Sequence, residues 1–328
     1  MLIDRLKTSA VLITIVCVLI YLDATYSLRN AEGLWLVPLL LFFAIGTAWD
    51  LSSLLLASGR NVSRAVVMFN TAMVTMSACV PMGWPFFGLE YPADCPIGRL
   101  GWIVAASVAA IMVTLGCEMW TYGRPEVPRE KGYAIDRTLS AVFVSLYVGL
   151  PMALLVSLRS LESVGSLALD SSSTSGGNWG LAALITMIAV TKSADAGAYF
   201  VGRAVGRHKL IPRLSPGKTW EGAGGGILTS TIVAFACLRW LFPELSPSGG
   251  ALSLLHCLTG AMVLGPVLAI TGIMGDLAES LVKRDAGVKD SGSWLPGLGG
   301  VWDVTDSLIA ASMPAFLCFA AGVAGPTG

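Results

Sequence analysis

Long apolar runs alternate with short polar stretches along this chain. A helix needs about 20 consecutive, mostly apolar residues to cross the hydrocarbon core of a bilayer. Nine stretches approach that length: 9–25, 34–57, 65–81, 100–119, 139–158, 179–200, 222–241, 252–275 and 307–322. Backbone groups cannot stay unpaired at membrane depth, so the pattern predicts helices rather than loops or open strands. The expected fold class is all-α, a polytopic transmembrane helical bundle of nine spans.

The polar stretches give the direction. With the N-terminus placed in the cytoplasm, sixteen Lys and Arg residues fall on the inner side and three on the outer: Arg29, Arg99 and Arg159. Lys192 and Arg239 lie within spans. Basic residues collect on cytoplasmic loops, so the asymmetry supports both the span count and a cytoplasmic N-terminus. Asp4, Arg5 and Lys7 before the first apolar run also fit a cleaved leader. A retained first span is expected, because the charges then alternate correctly.

Composition agrees. Hydrophobic residues make up 55% of the 328 and charged residues 13%, against about 25% charged in soluble domains. The net charge is zero, which gives no pull toward nucleic acid. Six of the seven cysteines lie in apolar runs and only Cys95 in a polar loop. With no CxxC and two distant histidines, a disulfide framework or zinc site is not expected. His208 and His256 are read as surface or structural residues.

Two parts are expected: residues 1–178, a scaffold of five spans, and residues 179–328, carrying the site on the cytoplasmic side. Residues 170–178 (DSSSTSGGN) read as a flexible polar linker. The connections at 202–221 and 276–306 hold most of the unusual residues.

In the later connection, Asp276, Glu279, Ser280 and Lys283 fall at i, i+3, i+4 and i+7 and share one helical face. The stretch 283–307 (KRDAGVKDSGSWLPGLGGVWDVTDS) follows, with two basic clusters, a glycine-rich turn, and Asp303 and Asp306 at the mouth of the last span. Carboxylates on two helix ends with basic residues between suit a hard cation and a polyphosphate, since Mg2+ takes oxygen ligands and commonly shares them with substrate phosphates. A solvated loop whose acids complement a helix dipole is the plainer reading. The membrane setting of the whole set argues against it.

In the earlier connection, Lys192, Asp195 and Tyr199 share a helical face. A basic turn then ends in Ser215-Pro216-Gly217-Lys218-Thr219-Trp220-Glu221-Gly222. Gly-Lys-Thr invites comparison with a P-loop, but position 212 is Pro212 where that motif needs glycine, and no strand is evident before it. A Pro-Gly turn can still present amides, a hydroxyl and an ammonium to phosphate. The run 222–226 (GAGGG) reads as close helix packing.

Together these segments resemble the CDP-diacylglycerol synthases, the phosphatidate cytidylyltransferase family. Its signature runs Ser-x-x-Lys-Arg, four residues, Lys-Asp, a Gly-His-Gly-Gly turn and Asp-Arg-x-Asp. Here Ser280, Lys283, Arg284, Lys289, Asp290, Gly297, Gly299, Gly300, Asp303 and Asp306 match in order and spacing. Gly275-Asp276, Glu279, the Asp195–Arg203 stretch and Ser215-Pro-x-Lys-Thr-Trp-Glu-Gly match as well, and Ala48-Trp49-Asp50 faintly resembles the family's Ala-Trp-Glu. Leu298 stands where the family has histidine and Val304 where it has arginine.

The resemblance implies that phosphatidate and CTP give CDP-diacylglycerol and pyrophosphate at the inner membrane, with Mg2+ and room for a second cation. It suggests Asp276 and Asp303 as metal ligands, with Asp306 and Asp290 behind them. Lys283, Arg284 and Lys289 would hold phosphates, and Asp290 would share the catalytic cluster. Asp195, Ser215, Lys218, Thr219, Glu221 and Ser280 would bind substrate. The partners implied are CTP, a lipid phosphate and membrane lipids, with a homodimer left open and no nucleic acid. Other readings are a CTP-dependent lipid kinase, a nucleotide-binding paralogue without turnover, and an ion-coupled transporter using Asp50, Lys192 and Asp195.

Overall fold

The structure, a computed structural model, describes residues 2–26, 32–92, 95–125, 130–161, 178–246 and 252–325. Most of the linker read at 170–178, together with Arg29 and Arg129, lies outside the described residues. Helices dominate, in the order α1 (Leu2–Thr25), α2 (Val37–Ala57), α3 (Arg64–Ser77), a 3-10 turn (Val80–Met82), α4 (Gly83–Phe86), α5 (Gly98–Thr121), α6 (Tyr133–Arg159) and α7 (Trp179–Val205). A hairpin of β1 (Lys209–Ile211) and β2 (Ser215–Thr219) follows, then α8 (Trp220–Ala236), a π-helical turn (Cys237–Leu241), α9 (Phe242–Leu245), α10 (Leu254–Asp285) and α11 (Trp302–Ala320).

Among the described residues, eight helices are long and apolar enough to cross a membrane. The all-α, polytopic reading holds. The third apolar run differs from expectation. Its helix stops at Ser77, and the chain continues through Val80–Phe86 with a 50° bend, giving a ninth span only if both halves are counted as one. Pro81 and Pro85 supply the cause, since proline removes a donor and clashes with the preceding turn. The antiparallel hairpin is a second difference. Basic and turn-forming residues there hide a strand pair that has no apolar alternation to betray it.

Helix length explains where the polar residues emerge. At 1.5 Å per residue, α10, with 32 residues, runs about 48 Å, against a hydrocarbon core of about 30 Å. Twenty residues from Leu254 end at Ile273, so Asp276 and Glu279 come at or beyond the core boundary. The same count along α7 ends at Ala198, so Tyr199 and Arg203 leave the core too.

The chain divides into two compact units. The first comprises Met1–Tyr91, Pro96–Val156 and Val282–Thr305, and the second Pro92–Cys95, Ser157–Leu281 and Asp306–Gly328. Polar clasps join the first unit's helices. Asn70 Nδ2 on α3 donates to Ala110 O and Thr114 Oγ1 on α5 at 3.0 and 2.9 Å. Arg137 on α6 pairs with Glu118 on α5 at 2.6 Å. In the second unit, α7 and α8 meet through small residues. A Cβ on Gly222 would lie 2.8 Å from Ala198 O, and one on Gly226 2.9 Å from Ala194 O. Gly222 and Gly226 are four residues apart, as are Ala194 and Ala198. Small residues repeated once per helical turn let two membrane helices pack backbone to backbone, as expected for the 222–226 run.

Candidate functional site

The second unit gathers its acids where α10 and α11 cross. Gly275 makes the crossing close: a Cβ there would strike Asp306 O and lie 2.8 Å from Ala310 Cβ. With no side chain in the way, Asp306 reaches the face of α10 that carries Asp276 and Glu279. Each of these three carboxylates offers an oxygen within 4.8 Å of the others. Glu279 is 2% exposed and Asp306 6%.

Cations and hydroxyls surround the cluster. Lys218 Nζ lies 2.7 Å from Asp276 Oδ2 and donates to Ile273 O at 3.2 Å. Lys192 Nζ donates to Ser307 Oγ at 2.8 Å, and that hydroxyl donates to Asp195 Oδ2 at 3.1 Å. Lys192 and Asp195 pair at 3.6 Å. Ser307 N donates to Asp306 Oδ1 at 2.6 Å, which joins the two groups.

A cavity of about 630 Å3 opens beside the cluster, its wall including Asp195, Arg203, Lys209, Ser215, Lys218 and Asp276. Cavities of this size accommodate small-molecule ligands. The hairpin forms one wall. Thr219 Oγ1 accepts from Gly222 N at 3.1 Å and caps α8. Glu221 accepts from Arg207 N at 3.1 Å and His208 N at 3.2 Å, and lies 2.6 Å from His208 Nδ1. Glu221 thereby ties the turn after α7 to the start of α8. The Gly217-Lys218-Thr219 run lies on β2, so a strand does precede and contain it. A P-loop sets these residues in a loop at a helix N-terminus, so that reading still fails.

In the first unit a different acidic assembly forms. Asp303 Oδ1 accepts from Lys283 Nζ at 2.8 Å. Its Oδ2 accepts from Ser291 N, Ser291 Oγ and Gly300 N at 3.1, 2.8 and 2.7 Å. Asp50, 1% exposed, accepts from Val301 N and Trp302 N and so serves amides that start α11. A Cβ on Gly292 or Gly300 would strike its carboxylate. Gly297 and Gly299 adopt φ of 78° and 101°, which explains the glycine-rich turn.

Of the residues singled out in the sequence, Asp276 and Asp306 come together, as do Asp195, Ser215, Lys218 and Thr219 along the cavity. Glu221 is not part of the cavity wall and bonds Arg207 and His208, and Ser280 is half-buried on α10. Arg284, Lys289 and Asp290 are exposed in the first unit and make no ion pair among the described residues. Sequence reasoning placed Glu279 on the right face without naming it a ligand, and it passed over Ser307, Arg203 and Lys209. Arg203 was legible as the next turn of the Asp195/Tyr199 face. Ser307 and Lys209 had no such signal.

The donor set fits a hard divalent cation. Mg2+ holds oxygens at about 2.0–2.1 Å, so neighbouring ligand oxygens lie about 3–4 Å apart, close to the spacing present. Among the described residues, no histidine or cysteine joins the three carboxylates, which disfavours zinc or copper.

The Cytidylyltransferase family model matches residues 3–321. The phosphatidate cytidylyltransferase of Haemophilus influenzae is 42% identical over 140 residues, covering 43% of this chain and 46% of that protein. The phosphatidate cytidylyltransferase of Pseudomonas aeruginosa is 45% identical over 145 residues, 44% and 49% of the two chains. Uncharacterized protein YnbB of Escherichia coli is 40% identical over 136 residues, 42% and 41%. The chain thus spans less than half the length of the curated relatives it matches.

Proposed function

The chain belongs to the cytidylyltransferase family, and from that premise we propose that it transfers the cytidylyl group of CTP to phosphatidate, giving CDP-diacylglycerol and pyrophosphate. One observation carries the reading: Asp276 belongs both to the three-carboxylate cluster and to the wall of the 630 Å3 cavity. A cation site thus opens directly onto a space edged by Lys218, Lys209 and Arg203.

The reaction makes one bond and breaks one. An oxygen of the lipid phosphate joins the α-phosphorus of CTP, while the α–β bridging P–O bond breaks and pyrophosphate leaves with the electron pair. A phosphate monoester has its second pKa at about 6, so the attacking oxygen is already ionised and no general base is required. Positioning and charge neutralisation remain for the protein to supply. Mg2+ held by Asp276, Glu279 and Asp306 would neutralise phosphate charge and orient the phosphate oxygens. Lys192 and Ser307 hold Asp195 and Asp306 in place. Lys218 lines the cavity beside Asp276, where it can turn from carboxylate to phosphate. Ser215 adds a hydroxyl to the wall, and Thr219 and Glu221 keep the hairpin in register with α8.

A metal role for Asp303 requires displacing Lys283 from Oδ1. For Arg284, Lys289 and Asp290 the phosphate-handling and catalytic roles rest on charge and exposure. The inner-membrane setting, with the site facing the cytoplasm, is supported by the sixteen-to-three distribution of Lys and Arg. It also suits a lipid arriving laterally and a nucleotide arriving from water.

The test is incubation of purified protein with phosphatidate, CTP labelled in the cytidine, and Mg2+. Labelled lipid with pyrophosphate is expected. Labelled CDP with no labelled lipid would establish a lipid kinase instead, and no turnover at any Mg2+ concentration would remove the transferase reading.

A further inference from the structure

Charge around the cavity is unevenly matched. Its wall carries two carboxylates, Asp195 and Asp276, and three cations, Arg203, Lys209 and Lys218. Each carboxylate already has an ammonium: Lys218 for Asp276 at 2.7 Å and Lys192 for Asp195 at 3.6 Å. Arg203 and Lys209 make no ion pair among the described residues. They come from different elements, Arg203 from the last turn of α7 and Lys209 from β1, yet both reach the same cavity.

Arg203 is also oriented. Its Nη1 donates to Tyr199 Oη, one turn earlier on α7, at 3.0 Å. A guanidinium anchored by one nitrogen keeps further donors in a fixed fork, the geometry that phosphate oxygens accept in pairs. Tyr199 lines the cavity, and Phe200 and Trp220 adjoin wall residues along the chain; the three are 58, 68 and 64% exposed. Aromatic side chains collect where membrane meets water, a depth reached both by lipid headgroups and by soluble nucleotides.

We propose that Arg203 and Lys209 form a phosphate-binding subsite at the mouth of the cavity, with Tyr199 as the positioning residue for Arg203. The subsite rests on the proposed transfer only for the source of its anion, a phosphate of CTP or the headgroup of the lipid. Its chemistry is the same for both. Two cations that make no ion pair among the described residues attract a multiply charged phosphoanion, and the Lys218–Asp276 pair lines the same cavity.

The experiment is calorimetric titration of the full chain with inorganic pyrophosphate, followed by separate KM measurements for CTP and for phosphatidate in mixed vesicles. Charge-assisted hydrogen bonds are the strong class, so Arg203→Gln and Lys209→Gln should each weaken pyrophosphate binding by about 10-fold or more. Arg203→Lys should recover part of the loss. Tyr199→Phe should raise KM by about 2- to 5-fold with kcat unmoved, since it frees the guanidinium without removing it. The substrate whose KM rises names the source: CTP for nucleotide phosphates, phosphatidate for the headgroup. Arg213→Gln, on the same hairpin but off the cavity wall, should change nothing. Pyrophosphate affinity within twofold of the parent in both cavity variants would overturn the subsite. An equal loss in Arg213→Gln would also overturn it, by reducing the effect to diffuse charge. Binding is read without turnover, so a chain that binds pyrophosphate through Arg203 but makes no lipid product would overturn the transferase reading alone.

Discussion

Asp303 and Asp306 sit one turn apart on α11, yet they belong to opposite kinds of acidic assembly. Asp303 is closed in by protein: an ammonium, a hydroxyl and two amides take its oxygens. Asp306 joins two other carboxylates, and one of these, Asp276, opens onto a cavity edged with cations. The first assembly resembles a loop anchor, complete in itself. In the second, three carboxylates offer oxygens within 4.8 Å of one another while Lys218 pairs with one of them, Asp276, a grouping of acids that a further cation would stabilise. Equal spacing in sequence does not assign equal chemistry; what decides it is which donors each carboxylate already holds.

The largest effect should come from the open assembly. Asp276→Ala or Asp306→Ala removes a proposed ligand, and even changes to a metal site's outer partners cost about 10- to 100-fold in affinity or activity. Either variant should exceed that range in loss of Mg2+-dependent lipid labelling, and a chelator should silence the parent equally. The Asp276→Ala protein should stay folded in detergent, because Asp276 is partly exposed and its partner Lys218 lines the cavity, where water can solvate it. Unchanged turnover in both variants would place the metal elsewhere. Next comes Gly275→Ala, which forces a methyl group into Asp306 O. Overpacking costs about 1–3 kcal/mol and here also pushes α11 from α10. Mg2+ affinity and melting temperature should therefore fall together, whereas Asp276→Ala lowers affinity alone.

The closed assembly predicts the reverse balance. Lys283→Met strips the ammonium from Asp303 but leaves three other donors, so the cost is about 1–3 kcal/mol of stability. Thermal unfolding should register it, and Mg2+ affinity should move little. An Asp303→Asn variant that loses Mg2+ affinity as severely as Asp276→Ala would dissolve the contrast and assign Asp303 to the metal.

How much of this was written in the chain depends on how local the cause is. Eight spans could be read from apolar length because each helix satisfies its own backbone hydrogen bonds wherever it lies. The bend after Ser77 was legible in retrospect from Pro81 and Pro85, and the apolar count overrode it. The hairpin at 209–219 was not legible, because its residues are basic and its pairing replaces helix ends rather than building a core. Asp276, Glu279 and Asp306 were each visible as spaced acids. Their meeting depends on Gly275, whose meaning appears only when α11 crosses it. Asp303 shows the limit most clearly, since its partners Ser291 and Gly300 are set by a turn that sequence spacing cannot fold.

The smallest effect concerns Leu298 and Val304, both in the first unit beside the closed assembly, where the related signature carries histidine and arginine. Arginine at 304 would stand in the first turn of α11, where a cation opposes the helix dipole by about 0.3–1 kcal/mol. A family that keeps arginine there must recover that cost from an anion, whereas Val304 avoids both the cost and the contact. Val304→Arg with Leu298→His should therefore lower the melting temperature slightly in plain buffer and restore it with pyrophosphate. Exposed ion pairs are worth about 0.2–1 kcal/mol, so transfer to phosphatidate should rise by no more than about fivefold. A gain confined to another lipid phosphate would show that these two positions select the acceptor. No gain on any lipid, with the stability loss intact and no rescue by pyrophosphate, would show that no phosphate comes within reach of position 304.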